Sequence, residues 1–230
     1  MLRKFETLAR IPLFRGLEAA EIERLDTQCV WRRAKAGDAV MEIGDGGSDL
    51  YFVALGKLRV KIQAISGKES ILRDLGDGEF FGELAAIDGR QRSASIFALT
   101  DAIVAKMPPQ VFLDNVHRHA SVCDGVLALL ASQIRRLANR VDEYATLDVR
   151  GRIHAELLRL ARPDPAEPPK AVISPPPTHA ELAARVSCRR EAVTREFSAL
   201  ARAGLMARRR GAIVLTDPAA LARAVEGARE

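Results

Sequence analysis

The rhythm of apolar and polar positions changes twice along the chain. From Glu18 to Cys29 the apolar positions fall at helical spacing and predict a short amphipathic helix. Beyond it, short alternating or apolar runs at Cys29–Arg33, Ala39–Ile43, Leu50–Leu55, Leu58–Ile65, Ser70–Leu75, Ala94–Ala98 and Ile103–Lys106 predict strands. Asp/Gly turn chemistry separates them, at Gly37-Asp38, Gly44-Asp45-Gly46-Gly47, Gly56-Lys57, Ser66-Gly67-Lys68, Gly76-Asp77-Gly78 and Asp88-Gly89. Such regular short spacing predicts an antiparallel barrel or roll and disfavours a parallel α/β sheet.

From Val111 to Tyr144 only Gly125 interrupts a helical pattern. Within it Cys123, Leu127, Leu130, Ile134, Leu137, Val141 and Tyr144 are spaced alternately four and three apart. An isolated helix has no need of a heptad seam, whereas a parallel pair does. Leu127, Leu130, Ile134, Leu137, Val141 and Tyr144 are therefore expected to face a second copy of the chain, flanked by the polar Arg135, Arg136, Asn139, Arg140, Asp142 and Glu143. A helix packed only on its own barrel is the plainer alternative.

A further helix is predicted over Asp148–Ala161 with Asp148 as N-cap, then the proline-rich ARPDPAEPPK, a strand at Ala171–Ile173 and SPPP. Thr178-His-Ala-Glu181 has the spacing of a capping box, so a helix starts at residue 178 or 179. Ser187-Cys188 turns the chain into a second helix, Arg189–Ala203, closed by Gly204. LMARRRGAIVLT reads as a hairpin wing, and a last helix starts at Pro218. Two helices joined by a tight turn and followed by a wing fit a helix-turn-helix. The chain thus reads as an α+β protein with a roll over residues 1–117, a dimerisation helix and hinge over 118–147, and a winged helix-turn-helix over 148–230, the hinge expected near 144–150.

Charge sharpens this picture. The whole chain carries +5, and Thr178–Arg210 alone holds eight arginines against three glutamates, the same excess. A concentrated excess suits double-stranded DNA. Arg190, Glu191 and Arg195 lie along one edge of the second helix; arginine takes guanine O6 and N7 bidentately, and glutamate accepts from cytosine N4. The bland alternative is a solvated face with internal Glu–Arg pairing. Cys29, Cys123 and Cys188 lack paired spacing, which predicts neither disulfide nor metal site. MLRKFETLARIPLFRGL holds no apolar run fit for a signal peptide or membrane span, which predicts a cytoplasmic protein without a membrane partner. No Gly-x-Ser-x-Gly or phosphate-loop lysine occurs, and His117 and His119 sit on different helix faces, so no enzyme is expected.

Ligand chemistry concentrates between Phe80 and Ala94. Gly82 permits close backbone approach, the residues after it open a short helix whose amides face an anion, and Arg92 follows ten residues later. Arg92 is suited to a bidentate ion pair with a phosphate, Ser93 to a hydroxyl contact with it and Glu83 to a sugar hydroxyl. Singly, each has a dull explanation as a turn, a helix-start charge or a surface polar residue.

The string FGELAAIDGRQRSA and the Arg190, Glu191, Arg195 triad resemble the CRP/FNR superfamily of bacterial regulators over nearly the whole chain. The resemblance implies a β-roll (double-stranded β-helix) of the cyclic-nucleotide-binding type, a long dimerisation helix, and a homodimer reading a palindromic TGTGA-like site. Gly82, Glu83, Leu84, Ala85, Arg92 and Ser93 would hold the phosphate and ribose. His179, Arg189 and, on the wing, Arg209 would contact DNA phosphates. The family's base-contacting Thr-Ser pair falls on Leu137 and Ala138, which cannot make those hydrogen bonds; Gln133, Asn139 and Arg140 are polar candidates nearby. Cyclic AMP is the first expectation and cyclic GMP the second, with a ligand-independent regulator or another small effector as alternatives. Ser187 replaces the usual turn glycine, Arg189 replaces a small polar residue, and the loop at 162–169 matches one that touches RNA polymerase.

Overall fold

The computed structural model describes residues 5–63 and 69–229, in two compact units, Met1–Gln133 and Ile134–Glu230. In the first, two 3-10 turns (Leu8–Arg10 and Pro12–Phe14) precede α1 (Ala19–Gln28). Strands β1 (Val30–Ala34), β2 (Ala39–Met41), β3 (Leu50–Leu55), β4 (Leu58–Gln63), β5 (Glu69–Leu75) and β6 (Phe80–Phe81) follow. Then come α2 (Glu83–Asp88), β7 (Ser95–Ala98), β8 (Ala102–Met107), α3 (Pro109–Arg118) and the start of α4 (Ala120–Thr146). The strands form two four-stranded antiparallel sheets, ordered β1-β8-β3-β6 and β2-β7-β4-β5. The last two residues of the run expected over Leu58–Ile65 lie outside the described residues.

β3 and β8 are buried on both faces, their alternate residues belonging to two different cores. Met41, Tyr51, Val53, Leu58, Val60, Leu75, Phe81, Ile96 and Val104 fill the inside of the roll. A second core of Leu8, Phe14, Leu25, Phe52, Phe80, Met107, Phe112 and Val122 joins the helices to the β1-β8-β3-β6 sheet. Phe14 and Phe80 both pack on the Phe52 ring, at 5.1 and 5.7 Å between centroids. The helix expected without a break from Val111 is interrupted at His119, which is extended (φ −118°, ψ 109°). Its N–H closes α3 on the Asn115 carbonyl, its carbonyl accepts from Val122 and Cys123 to open α4, and its ring reaches Glu21 at 2.9 Å. No glycine or proline marks this break in the sequence; a single histidine closes α3 and opens α4.

The second unit holds the end of α4, then α5 (Val149–Leu160), β9 (Arg162–Pro163), β10 (Ala171–Ile173), α6 (His179–Val186), α7 (Arg190–Arg202), β11 (Met206–Arg209), β12 (Ala212–Leu215) and α8 (Pro218–Gly227). Its sheet runs β11-β12-β10-β9. Its caps follow the residues that prescribe them. Asp148 accepts from the Gly151 N–H at 2.7 Å, Asp217 accepts from Ala220 at 2.8 Å, and Thr178 and Glu181 form both bonds of a capping box. Leu157, Leu182, Val186, Val193, Leu215 and Leu221 are fully buried between these helices and the sheet.

A buried ionic cluster ties the end of α4 to α5 and α6. Glu156, 3% exposed, is shared by Arg140 (3.0 Å), Arg185 (3.6 Å) and Arg159, while Glu143 pairs with Arg159 and Arg140. Arg140 also donates to the Arg185 carbonyl. Beside it, the Tyr144 ring lies between the guanidiniums of Arg140 and Arg152, 5.8 and 5.1 Å from the centroid, and its hydroxyl donates to Ser187 Oγ at 3.1 Å. Ser187 is left-handed (φ 53°, ψ 44°), the conformation for which glycine is the ordinary choice.

Candidate functional sites

In the first unit, β6 delivers the chain to Gly82, whose φ of +84° turns it into α2. A Cβ at Gly82 would stand 2.8 Å from Arg92 Nη1 and 2.9 Å from the Asp49 carbonyl, so both its backbone angle and its packing require glycine. Arg92 is 5% exposed. Its Nη1 donates to the Gly82 carbonyl at 3.2 Å, its Nη2 donates to the Asp49 carbonyl at 2.7 Å, and its guanidinium lies 5.8 Å from the centroid of the Tyr51 ring. Tyr51 is stacked in turn on Phe81 at 5.0 Å. The Asp49 carboxylate is taken by Lys106 at 2.9 Å.

Arg92 therefore has neutral oxygen partners and, among the described residues, no carboxylate in ion-pair contact. A buried cation left so is poised for an anion, since burial without a counter-charge is costly. Glu83, 5% exposed, accepts from Gln133 Nε2 of α4 at 3.0 Å. Of the other residues expected here, Ala85 is buried, and Leu84 and Ser93 are exposed. Leu137 and Ala138 belong to the second unit, and both are exposed. Tyr51 and the Asp49 carbonyl complete the Arg92 surroundings; nothing in the alternation of β3 distinguishes Tyr51 from a core residue.

In the second unit, Val193, Phe197 and Leu200 bury one face of α7, leaving Arg190, Glu191, Thr194, Arg195 and Ser198 exposed on the other. Arg189 is the exposed N-cap of that helix. Among the described residues Arg189, Arg190 and Arg195 form no ion pair, so internal Glu–Arg pairing does not account for this face. Glu196 does pair, with His154 at 2.6 Å and Arg150 at 3.3 Å, away from the exposed edge.

Two of the eight arginines are diverted. Arg185 is buried at Glu156, and Arg209 pairs with Asp164 at 3.3 Å and with Glu167. Lys170 first and Arg209 second hold the Glu167 carboxyl below its ordinary 4.5. The wing guanidinium expected to meet phosphate is thus already paired, while Arg208 and Arg210 beside it form no ion pair among the described residues. His179 stands on the same side as the wing, its Nε2 3.5 Å from Arg208 Nη2.

On α4, Leu127 (57% exposed), Ile134 (67%), Leu137 (57%) and Val141 (68%) are open, and Tyr144 is half open. Leu130 packs against the core of the first unit and is partly exposed. Among the described residues no cluster of three or more His, Cys, Asp or Glu side chains is placed to hold a metal, and no helix is long and apolar enough to cross a membrane.

Residues 31–119 match the cyclic nucleotide-binding domain family, and residues 151–224 match the Crp-like helix-turn-helix domain family. The chain is 32% identical to the cyclic AMP receptor protein of Thermus thermophilus over 210 residues, 91% of this chain and 94% of that one. It is 27% identical to a CRP-like cAMP-activated global transcriptional regulator of Mycobacterium tuberculosis, over 95% and 98% of the two chains. Among solved structures it resembles the T. thermophilus catabolite activator protein (TM-score 0.53, 30% identity, 94% and 99% covered). It also resembles the c-di-GMP responsive global regulator CLP of Xanthomonas campestris (TM-score 0.69, 26% identity, 86% and 99% covered). With a cyclic-nucleotide-binding roll, a Crp-like helix-turn-helix and relatives that span almost the entire chain, this protein belongs to the CRP/FNR family of transcription regulators and is not an enzyme.

Proposed function

We propose that the protein is a homodimeric, cytoplasmic regulator whose affinity for a palindromic, TGTGA-like DNA site is raised by a cyclic mononucleotide, cyclic AMP before cyclic GMP. The observation that carries the effector reading is Arg92: a buried guanidinium with two neutral carbonyl partners, beside a glycine shaped to it. The cyclic phosphate would supply the missing negative charge and Ser93 a hydroxyl. Glu83 would accept from the ribose 2′-hydroxyl. That contact falls on the carboxylate that Gln133 already holds, so effector binding is felt directly by α4.

The exposed stripe of α4 supports pairing with a second copy, because an apolar seam of this kind is otherwise left in water. Pairing would present two α7 helices about one DNA turn apart, roughly 34 Å. Arg190, Glu191 and Arg195 would read bases there, and Arg189, His179, Arg208 and Arg210 would meet phosphates. Arg209 instead fixes the wing to the proline-rich loop, whose exposed residues are the candidate contact for RNA polymerase.

Leu137 and Ala138 lack hydrogen-bonding side chains, so the base of the effector is recognised differently from the family's Thr-Ser mode. Titration calorimetry with cyclic AMP, cyclic GMP and cyclic di-GMP, followed by duplex binding with and without each, tests the reading. One mononucleotide should bind and tighten the specific duplex. Heat with none of the three, or unchanged DNA affinity, would remove the effector half and leave only the DNA half. In the same assay Arg190→Ala should relax base preference at a cost of about 1–3 kcal/mol on the preferred site. Full discrimination retained by that variant would exclude Arg190 as a base reader.

A further inference from the structure

His179, the first residue of α6, lies in a cleft of about 210 Å³ with Thr194, Phe197, Ser198 and Arg208. Its Nδ1 is 2.8 Å from Thr194 Oγ1. The proton of that hydroxyl is already committed, because Thr194 donates to the Arg190 carbonyl at 3.1 Å. Thr194 offers the ring a lone pair, so Nδ1 is the nitrogen that carries the proton. In the neutral ring Nε2 is then a bare lone pair, and it faces the Arg208 guanidinium on β11. The Phe197 ring, 4.8 Å away edge-on, fixes the plane of the imidazole.

A neutral His179 accepts a hydrogen bond from Arg208 but cannot donate one to an anion in the same place. A DNA phosphate arriving there would meet two lone-pair bearers face to face. Protonation of Nε2 reverses this, converting the repelling atom into a charge-assisted donor beside a guanidinium.

We propose that His179 makes DNA binding proton-linked, each protomer taking one proton from solvent onto Nε2 as a backbone phosphate enters between His179 and Arg208, and releasing it as the duplex leaves. The proposal rests on the DNA-binding reading. In the free protein, burial first, then the charges of Arg208 and Arg190, hold the imidazole below its ordinary 6.5. The charged groups facing the ring are Arg190 from α7 and Arg208 from β11; Glu181, on its own helix, is engaged by the Thr178 N–H at 2.7 Å. A phosphate adds negative charge and raises the bound value. Affinity is therefore greatest below the free value, falls as pH rises between the free and bound values, and levels off above both.

The test is fluorescence anisotropy of the full chain on a palindromic TGTGA duplex with cyclic AMP, from about pH 5.5 to about pH 8 at constant ionic strength. The wild type should weaken with rising pH by up to about tenfold per pH unit for each protomer. His179→Gln should bind weakly with no such slope. His179→Arg, permanently charged, should bind at high pH as the wild type does at low pH, also without slope. A flat wild-type profile, or a slope that survives in both variants, overturns the proposal while leaving DNA binding intact. Absence of duplex binding at every pH overturns the DNA reading and this proposal together.

Discussion

Arg92→Ala is expected to lower cyclic-nucleotide affinity by about 30-fold to several-thousand-fold, the equivalent of about 2–5 kcal/mol for removing one side of a buried charge pair. The size of the effect follows from how Arg92 is held. Both terminal nitrogens are oriented before any ligand arrives, by carbonyls from β6's exit and from the turn before β3, so little side-chain freedom remains to be lost on binding. Arg92→Lys keeps the charge but not the fork, and an intermediate loss is expected. Calorimetry on the two variants checks this. Binding by Arg92→Ala within about threefold of wild type would mean that the phosphate lies elsewhere.

Glu156→Ala should destabilise the second unit by about 3–5 kcal/mol, a large part of the ~5–15 kcal/mol that ordinarily separates folded from unfolded chains. The carboxylate is shared by Arg140, Arg159 and Arg185, and Glu143 also pairs with Arg140 and Arg159. Truncation leaves guanidinium charge in a place shaped to exclude water. The single tryptophan, Trp31, belongs to the first unit, so two probes separate the units. Helical circular dichroism should report the loss, while the denaturant midpoint from Trp31 fluorescence should hardly move. A shift below about 1 kcal/mol in the dichroism would show that the cluster is a surface feature in energetic terms.

Local signals were the legible ones. The capping box at Thr178 and Glu181, the N-cap Asp148, and the Gly82-to-Ser93 cassette each lie within a dozen residues, and the chemistry that defines them is written in neighbouring letters. What the sequence hid was long-range. Arg140, Glu156 and Arg185 come from three helices, and nothing local distinguishes Arg185 from the other arginines of its module. The commitment of Arg209 to Asp164 and Glu167 likewise crosses more than forty residues of chain. The break at His119 and the two-residue strands β6 and β9 fall below what periodicity resolves. On the ligand side, the cassette revealed Arg92 and Glu83, but Tyr51 and the Asp49 carbonyl reach the same place from another strand's start.

The two diverted arginines also set how the protein competes with dissolved ions for a duplex. Neutralising DNA phosphates frees condensed counterions, and the logarithm of affinity falls against the logarithm of salt with a slope of about 0.9 per phosphate neutralised. Arg185 and Arg209 already have carboxylates of their own and displace no sodium when DNA arrives. Of the eight arginines between Thr178 and Arg210, six at most contribute to that slope. The grip on DNA should then survive a rise in ionic strength better than the formal charge of the module implies, with more of its affinity left to the reading of bases.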